Sequence, residues 1–365
     1  MYYLGIDLGG TNIAAGVVNE QYQIIGRSKT KTHVPCSEEE MCSQLAFAAL
    51  SALEDANITI DEIEWIGIGS PGSIDRTNGM ITFSSNLHFH QFPLERLLSE
   101  KLCKRVIIEN DAKAAAYGEF LAGALKNANN ALAITLGTGV GCGIIINKQI
   151  YRGSNASSGE MGHMVIEHNG RPCKCGRNGC WEQYASANGL KQTTREMIEN
   201  QPEHAAHLLE LIGHDLDNIS GRTPFQAMRD GDMLGTKICN AYIEMLGCGL
   251  INAVNIFQPD IVCLGGGVCN EGEALLEPLR KLIEKERYPV EQSHPFTFAK
   301  HNWETMRVSS ALHCWGWRRT INNHYKNNSF SFLFANRGFI SETALNICSS
   351  RCLALLEANL NTSHT

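Results

Sequence analysis

At 365 residues the chain suits two domains better than one. Its net charge of −7, with no basic run to neutralise a phosphate backbone, argues against nucleic acid as a partner. No stretch approaches the ~18 consecutive apolar residues of a spanning helix. The opening residues 1–7 lack the basic and apolar regions of a signal peptide, so no membrane association and a cytoplasmic location are expected.

Residues 2–6 are a short apolar run, followed by Asp7-Leu8-Gly9-Gly10-Thr11-Asn12 and a second apolar run over 13–18. This pattern predicts strand, glycine turn, strand: a hairpin with a polar tip. Residues 23–29 add a third strand. Residues 37–55 have helical periodicity, and Ser37 with Glu40 forms a capping box at the start. Residues 65–69 read as a buried strand closed by the turn Ser70-Pro71-Gly72, residues 105–108 as another strand, and 112–125 as an alanine-rich helix. The opening then recurs. Residues 131–136 are a strand, the turn begins Gly137-Thr138-Gly139, and 144–146 continue as a strand. Two halves built on the same opening indicate an internal duplication. Helices are predicted over 189–199, 223–230 and 236–255. Residues 260–264 form a buried strand closed by Gly265-Gly266-Gly267, with a helix over 274–287. Of the 14 cysteines, Cys142, Cys239, Cys248 and Cys263 fall in apolar segments and read as small core residues.

A denser cysteine group sits at Cys173-Lys174-Cys175-Gly176-Arg177-Asn178-Gly179-Cys180, with His163 ten residues upstream of Cys173. Three thiols and an imidazole supply the four N/S ligands of a tetrahedral zinc site and leave no open position, so a structural ion is expected. The glycines allow the chain to fold back around one ion. Closing it draws Glu160, in Ser158-Gly159-Glu160-Met161-Gly162-His163, and Glu182 toward one region. Carboxylates placed in this way suit a polyhydroxylated ligand, because charged acceptors make the stronger hydrogen bonds to hydroxyls.

The turns after Asp7 and at Gly137-Thr138-Gly139 are tight hairpins or anion nests of successive backbone N–H groups; their matching positions favour a phosphate clamp. Asp7 reads either as a turn-stabilising carboxylate or as one that orients Mg²⁺. Asp111, in Glu109-Asn110-Asp111, stands at or near a helix start, where the dipole favours its ionised form. It is either an N-cap or a general base for an alcohol attacking ATP. Asn110 beside it could hold a hydroxyl. Three bare glycines at 265–267 let a flat group such as adenosine lie on backbone, and a Rossmann fingerprint is not matched.

Together these residues resemble the ROK family (repressors, open reading frames and sugar kinases), and within it the bacterial ATP-dependent glucokinases. The matching stretches are 7–12, Ser70-Pro71-Gly72, Asn86-Leu87, Glu109-Asn110-Asp111, 136–139, 159–163, 173–182 and 265–267, in family order over roughly residues 2–312. The resemblance implies an α/β fold of the actin-like ATPase (ribonuclease H-like) class, with two α/β domains, a central cleft and a structural zinc site. It implies an N-terminal domain over 1–111, a C-terminal domain over 112–313 and an atypical tail over 314–365. It further implies transfer of the γ-phosphate of ATP, with Mg²⁺, to a hexose hydroxyl. Asp111 looks like the catalytic base. Gly72, Asn86, Asn110, Glu160, His163 and Glu182 look like sugar-binding residues. Asp7, Gly9, Gly10, Thr11, Gly137, Thr138 and Gly139 look like the phosphate clamp, with Gly265 and Gly266 near the adenosine. His163, Cys173, Cys175 and Cys180 look like the Zn²⁺ ligands, with the second ring nitrogen of His163 free for a sugar hydroxyl. Members of the family are commonly dimers or tetramers.

One departure stands out. From Cys314 onward, where the family has a helix of small residues, the chain reads Cys314-Trp315-Gly316-Trp317-Arg318-Arg319 and continues to Thr365. A change of reading frame near Cys314, or a C-terminal extension, accounts for it. Other sugars (N-acetylmannosamine, N-acetylglucosamine, fructose, allose) share the motif residues. A non-catalytic sugar-responsive repressor would need a helix-turn-helix before the first strand, whereas here the phosphate turn begins at residue 7.

Overall fold

Alternation of strands with helices of 3.6-residue period requires mostly parallel sheets covered by helices, and the chain folds in this way twice. The computed structural model describes residues 1–289 and 297–300; the departure expected from Cys314 lies outside them. In chain order the elements are β1 (Tyr2–Leu8), β2 (Asn12–Val18), β3 (Ile24–Lys31), α1 (Glu38–Ala56), β4 (Ile63–Ser70), β5 (Ser73–Asp75), β6 (Met80–Ser84), β7 (Phe89–Phe92), α2 (Leu94–Leu102), β8 (Val106–Asn110) and α3 (Asp111–Ala122). They continue with β9 (Ala131–Leu136), β10 (Val140–Ile146), β11 (Gln149–Ile150), α4 (Glu182–Ala185), α5 (Ala187–Asn200), α6 (Ala206–Leu211), α7 (Thr223–Arg229), α8 (Met233–Phe257), β12 (Ile261–Gly265), α9 (Glu273–Glu286) and β13 (Thr297–Lys300).

The first sheet runs β3-β2-β1-β4-β8 and the second β11-β10-β9-β12-β13. In both, the leading strand pairs antiparallel with its hairpin partner and parallel with the next strand inward, which pairs parallel with the last. The two orders are therefore the same, and the hairpins β1–β2 and β9–β10 each close over three residues, Gly9 to Thr11 and Gly137 to Gly139. The duplicated opening expected from the sequence is a duplicated sheet.

Each sheet has its own core. Leu4, Ile6, Leu8, Ile66, Ile68 and Ile108 pack on Met41, Leu45 and Leu53 of α1 in the first. Leu132, Ile134, Val262 and Leu264 pack with Tyr242, Leu246 and Leu250 of α8 in the second. The capping box at Ser37 forms as expected: Ser37 Oγ accepts from Glu40 N, and Glu40 accepts from Ser37 N at 2.7 Å. The expected domain divide at 111–112 falls at the β8–α3 junction.

Helix α3 packs against both sheets, touching β4 and β8 of the first and β9 and β10 of the second. Its alanines explain the fit. A Cβ at Gly143 of β10 would meet Ala116 Cβ at 2.1 Å, and one at Gly141 would meet Ala112 Cβ at 2.8 Å. Small residues on both surfaces bring helix and strand backbones close, which fixes the helix start beside the second glycine turn. A third sheet, β5-β6-β7, and helix α2 were not expected from the sequence. The helix expected over 274–287 is α9, and a 3₁₀ stretch over Gly267–Glu271 joins it to the three glycines. One smaller reading is corrected: Cys248 is half-buried rather than a core residue, whereas Cys142, Cys239 and Cys263 are buried. Among the described residues no helix is long and apolar enough to cross a membrane.

Candidate active site

Parallel strands end together, and their carboxyl ends open a crevice where ligands bind. In the first sheet the register sets Asp7 beside Gly69 and Gly69 beside Glu109, with Asn110 next to Ser70. The first glycine turn continues from this edge. Gly9 N donates to Asn12 O at 3.0 Å, and Thr32 Oγ1 donates to Gly9 O at 2.7 Å. A Cβ at Gly10 would stand 3.4 Å from the carbonyl oxygen of Asn86. The turn read as a phosphate clamp thus touches a residue read as a sugar ligand. Gly72 has φ +107°, where a side chain is strained, and a Cβ there would reach Phe83 O at 2.3 Å. Its own carbonyl accepts from Asn110 Nδ2 at 3.4 Å. Gly10 is therefore drawn to Asn86, and Gly72 to Asn110.

Asn110, not Asp111, is the N-cap of α3: its Oδ1 accepts from Lys113 N at 3.2 Å. The alternative of Asp111 as a simple cap is thereby removed. Asp111 is the first helical residue, its Oδ1 accepting from Ala112 N at 2.8 Å. The residue as a whole is half-buried, while its carboxyl is desolvated by the protein around it. This desolvation pushes its pKa above the usual aspartate range, against the hydrogen bonds from Ala112, its own backbone and Asn110 that lower it. The expectation that the helix start favours the ionised form is corrected: burial outweighs it. A raised carboxylate pKa is the direction that makes a better proton acceptor.

The second turn is closed by Gly137 N donating to Gly139 O at 3.0 Å and tied to α5 by Ala187 N donating to Gly137 O at 2.8 Å. Thr138 is exposed, its carbonyl accepting from Asn188 Nδ2 at 3.0 Å. Gly265 lies beside Thr135 in the sheet, and Gly266, at φ +100°, turns against Leu136 so closely that a Cβ would stand 2.2 Å from its carbonyl oxygen. Glu182, the first residue of α4, reaches back to this turn. Its Oε2 accepts from Val140 N at 3.0 Å, directly beyond Gly139. Glu160, exposed, immediately precedes the 3₁₀ turn Met161–His163, whose Gly162 packs on Val140 so that a Cβ would meet its carbonyl oxygen at 2.4 Å. The start of β10 is thus flanked by the segments carrying both glutamates.

The four expected metal ligands converge. One ligand atom from each of His163, Cys173, Cys175 and Cys180 lies within 4.8 Å of every other. Cys173 Sγ is 3.5 Å from His163 Nδ1, and Cys175 Sγ is 3.6 Å from Cys180 Sγ. Ligands ~2.3 Å (S) and ~2.0–2.1 Å (N) from one tetrahedral ion stand about 3.5–3.8 Å apart, so the donor set fits Zn²⁺. Gln183 Nε2 donates to Cys173 Sγ at 3.4 Å, an outer contact that orients a thiolate. Backbone N–H donation from Arg177 holds the Cys175 thiol below its ordinary pKa, while burial pushes Cys180 up to about 12. Trp181, fully buried, roots the cassette in the second core: its Nε1 donates to Met245 O at 3.1 Å, and its ring fills the space a Cβ at Gly249 would need.

The sequence reading missed a charged group behind Asn110 and Asp111. Glu109 is buried, and Oε2 takes Arg76 Nη1 at 2.8 Å and Arg152 Nε at 3.3 Å. Its place in the Glu-Asn-Asp motif was visible, but its partners were not.

A ROK family model matches residues 3–305. The chain belongs to the ROK family. Among similar proteins, a glucokinase of Streptomyces coelicolor is 37% identical over 282 residues, covering 77% of this chain and 87% of the relative. A putative xylose repressor of Caldicellulosiruptor sp. is 30% identical over 292 residues, 80% of this chain and 72% of that one. Among solved ROK structures, the Streptomyces griseus glucokinase in complex with glucose and AMPPNP superposes with a TM-score of 0.74 at 34% identity, covering 85% of this chain and 98% of that chain. The fold is the α/β, actin-like ATPase class of the ROK sugar kinases.

Proposed function

We propose that the chain is an ATP-dependent sugar kinase that phosphorylates glucose to glucose 6-phosphate. The observation that carries the reading is Asp111. A carboxyl whose pKa is raised by desolvation opens α3, beside Asn110 and between two glycine turns at matching places in two sheets. The glucokinases of Streptomyces support glucose as the acceptor.

In this reading residues 1–111 and the described residues from 112 onward form the two sides of the cleft. Gly9, Gly10, Thr11, Gly137, Thr138 and Gly139 offer backbone N–H groups and hydroxyls to the phosphates. Gly265 and Gly266, with no side chains, leave room for adenosine on bare backbone. Gly72, Asn86, Asn110, Glu160, His163 and Glu182 hold the sugar hydroxyls. Asp111 accepts the proton of the attacking hydroxyl as the phosphoryl group is transferred. Asp7 is the residue for Mg²⁺, which when bound neutralises phosphate charge. His163, Cys173, Cys175 and Cys180 would hold Zn²⁺, which supplies a fixed frame rather than an open position. Because Nδ1 of His163 faces the thiols, Nε2 is the nitrogen available to a sugar hydroxyl.

The test is ADP release by the full-length chain with ATP, Mg²⁺ and a panel of hexoses and N-acetylhexosamines. Preference for glucose supports the reading, and preference for another sugar keeps the mechanism and changes the acceptor. A second reading, a non-catalytic ROK sugar sensor, is favoured by the likeness to a putative xylose repressor. It predicts sugar binding with no ADP released.

A further inference from the structure

We infer that Glu109 is a positioning residue, gripping through two arginines two separate segments that carry sugar-binding residues, 72–86 and 152–163, and fixing both relative to Asp111. The inference rests on the kinase reading only for its kinetic arm. Arg76 follows β5, in the stretch between Gly72 and Asn86; Arg152 follows β11, at the start of the loop that leads to Glu160 and His163. Both guanidiniums converge on Oε2 of Glu109, while its Oε1 accepts the backbone N–H of Asn110 at 3.1 Å. The carboxylate therefore bonds the backbone of the residue that caps α3 and stands two positions before Asp111.

The setting makes these bonds count. The side chain of Glu109 is 4% exposed, that of Arg76 14% and that of Arg152 27%. Charged hydrogen bonds so far from water are strong, and removing one partner leaves the other's charge unsatisfied. Each arginine reaches far along the chain, 33 residues for Arg76 and 43 for Arg152, so each bond closes a long loop onto the same atom.

The second loop has a further tether. Lys113 is buried, and its Nζ donates to the carbonyl oxygen of Ala156. Burial lowers the Lys113 pKa, and Glu109 and Glu160 oppose that shift. Lying two residues after Asp111, Lys113 projects from α3 about 200° around the helix from it, so it serves the loop rather than the proton acceptor. The loop is also closed on itself: Ser158 N donates to Arg152 O at 3.2 Å and Ser158 Oγ to Tyr151 O at 2.6 Å. It is tethered to the rest of the site at Arg152 and at Ala156.

The experiment compares hydrogen–deuterium exchange of the full-length chain with Arg76→Gln, Arg152→Gln and Glu109→Gln, alongside Michaelis constants for sugar and ATP. Arg76→Gln raises exchange about tenfold within 72–86 only, Arg152→Gln does so within 151–160 only, and Glu109→Gln does so in both. Each variant raises the sugar KM about tenfold and leaves the ATP KM unchanged. A merely structural role would raise exchange evenly or move both KM values together, and either result overturns the inference. So does unchanged exchange in both segments. If Glu109→Gln fails to fold, the two arginine variants alone decide by their segment selectivity. If the wild-type chain phosphorylates no sugar, the kinase reading fails, and the exchange pattern still decides this one.

Discussion

Sγ of Cys173 lies 3.5 Å from Nδ1 of His163, so the ring turns its Nδ1 to the thiols and leaves Nε2 on the opposite edge. His163 also follows Glu160 by one 3₁₀ turn. In the proposed function a single imidazole therefore belongs both to a metal frame and to a sugar site, and loss of the frame is expected to be felt at both.

Cys175→Ser is expected to abolish stoichiometric zinc, lower the melting midpoint by about 5 °C or more and raise the sugar KM. Elemental analysis, thermal melts and kinetics check it. Full zinc content in that variant contradicts the ligand set.

Asp111→Asn is expected to reduce kcat by ~10²–10⁴-fold while sugar binding by calorimetry survives. The pH dependence follows from the sign of the shift. The base works only when deprotonated, and desolvation raises its pKa above the usual aspartate range. The acid limb of kcat/KM therefore sits above that range, activity falling as pH drops through the raised value. Asp111→Asn removes the limb. A wild-type profile flat down to the ordinary aspartate range contradicts the assignment.

Gly266→Ala places a Cβ 2.2 Å from the carbonyl oxygen of Leu136 at a φ of +100°. Both the clash and the left-handed backbone oppose it, at a cost of about 2–4 kcal/mol. Chemical denaturation reads the loss, and the ATP KM is expected to rise more than the sugar KM because Gly266 is the residue proposed to lie against adenosine.

Glu182→Ala removes the acceptor for Val140 N and a carboxylate expected to hold the sugar. The sugar KM is expected to rise about tenfold and the ATP KM less. Equal rises would mean that Glu182 serves the glycine turn alone.

Local chemistry made much of this legible. Ser37 and Glu40 announced a helix start because a capping box needs only neighbours. The two glycine turns announced a duplication because turn and strand periods repeat together. The β5-β6-β7 sheet was not legible: its strands are three to five residues long, and His88 and Gln91 adopt positive φ, which interrupts the two-residue alternation. Asp111 stayed open between cap and base because an aspartate near a helix start suits both, and a one-residue shift of the helix start, invisible in the residue pattern, gives the cap to Asn110. The partners of Glu109 lie 33 and 43 residues away, beyond any spacing rule.

The most direct test of the account is formation of glucose 6-phosphate from glucose and ATP·Mg²⁺ by the mass-verified full-length chain, measured beside Asp111→Asn at equal zinc content. The account predicts product with the wild-type chain and ~10²–10⁴-fold less with the variant. Equal product from both, or none from the wild type while it binds glucose, would contradict it.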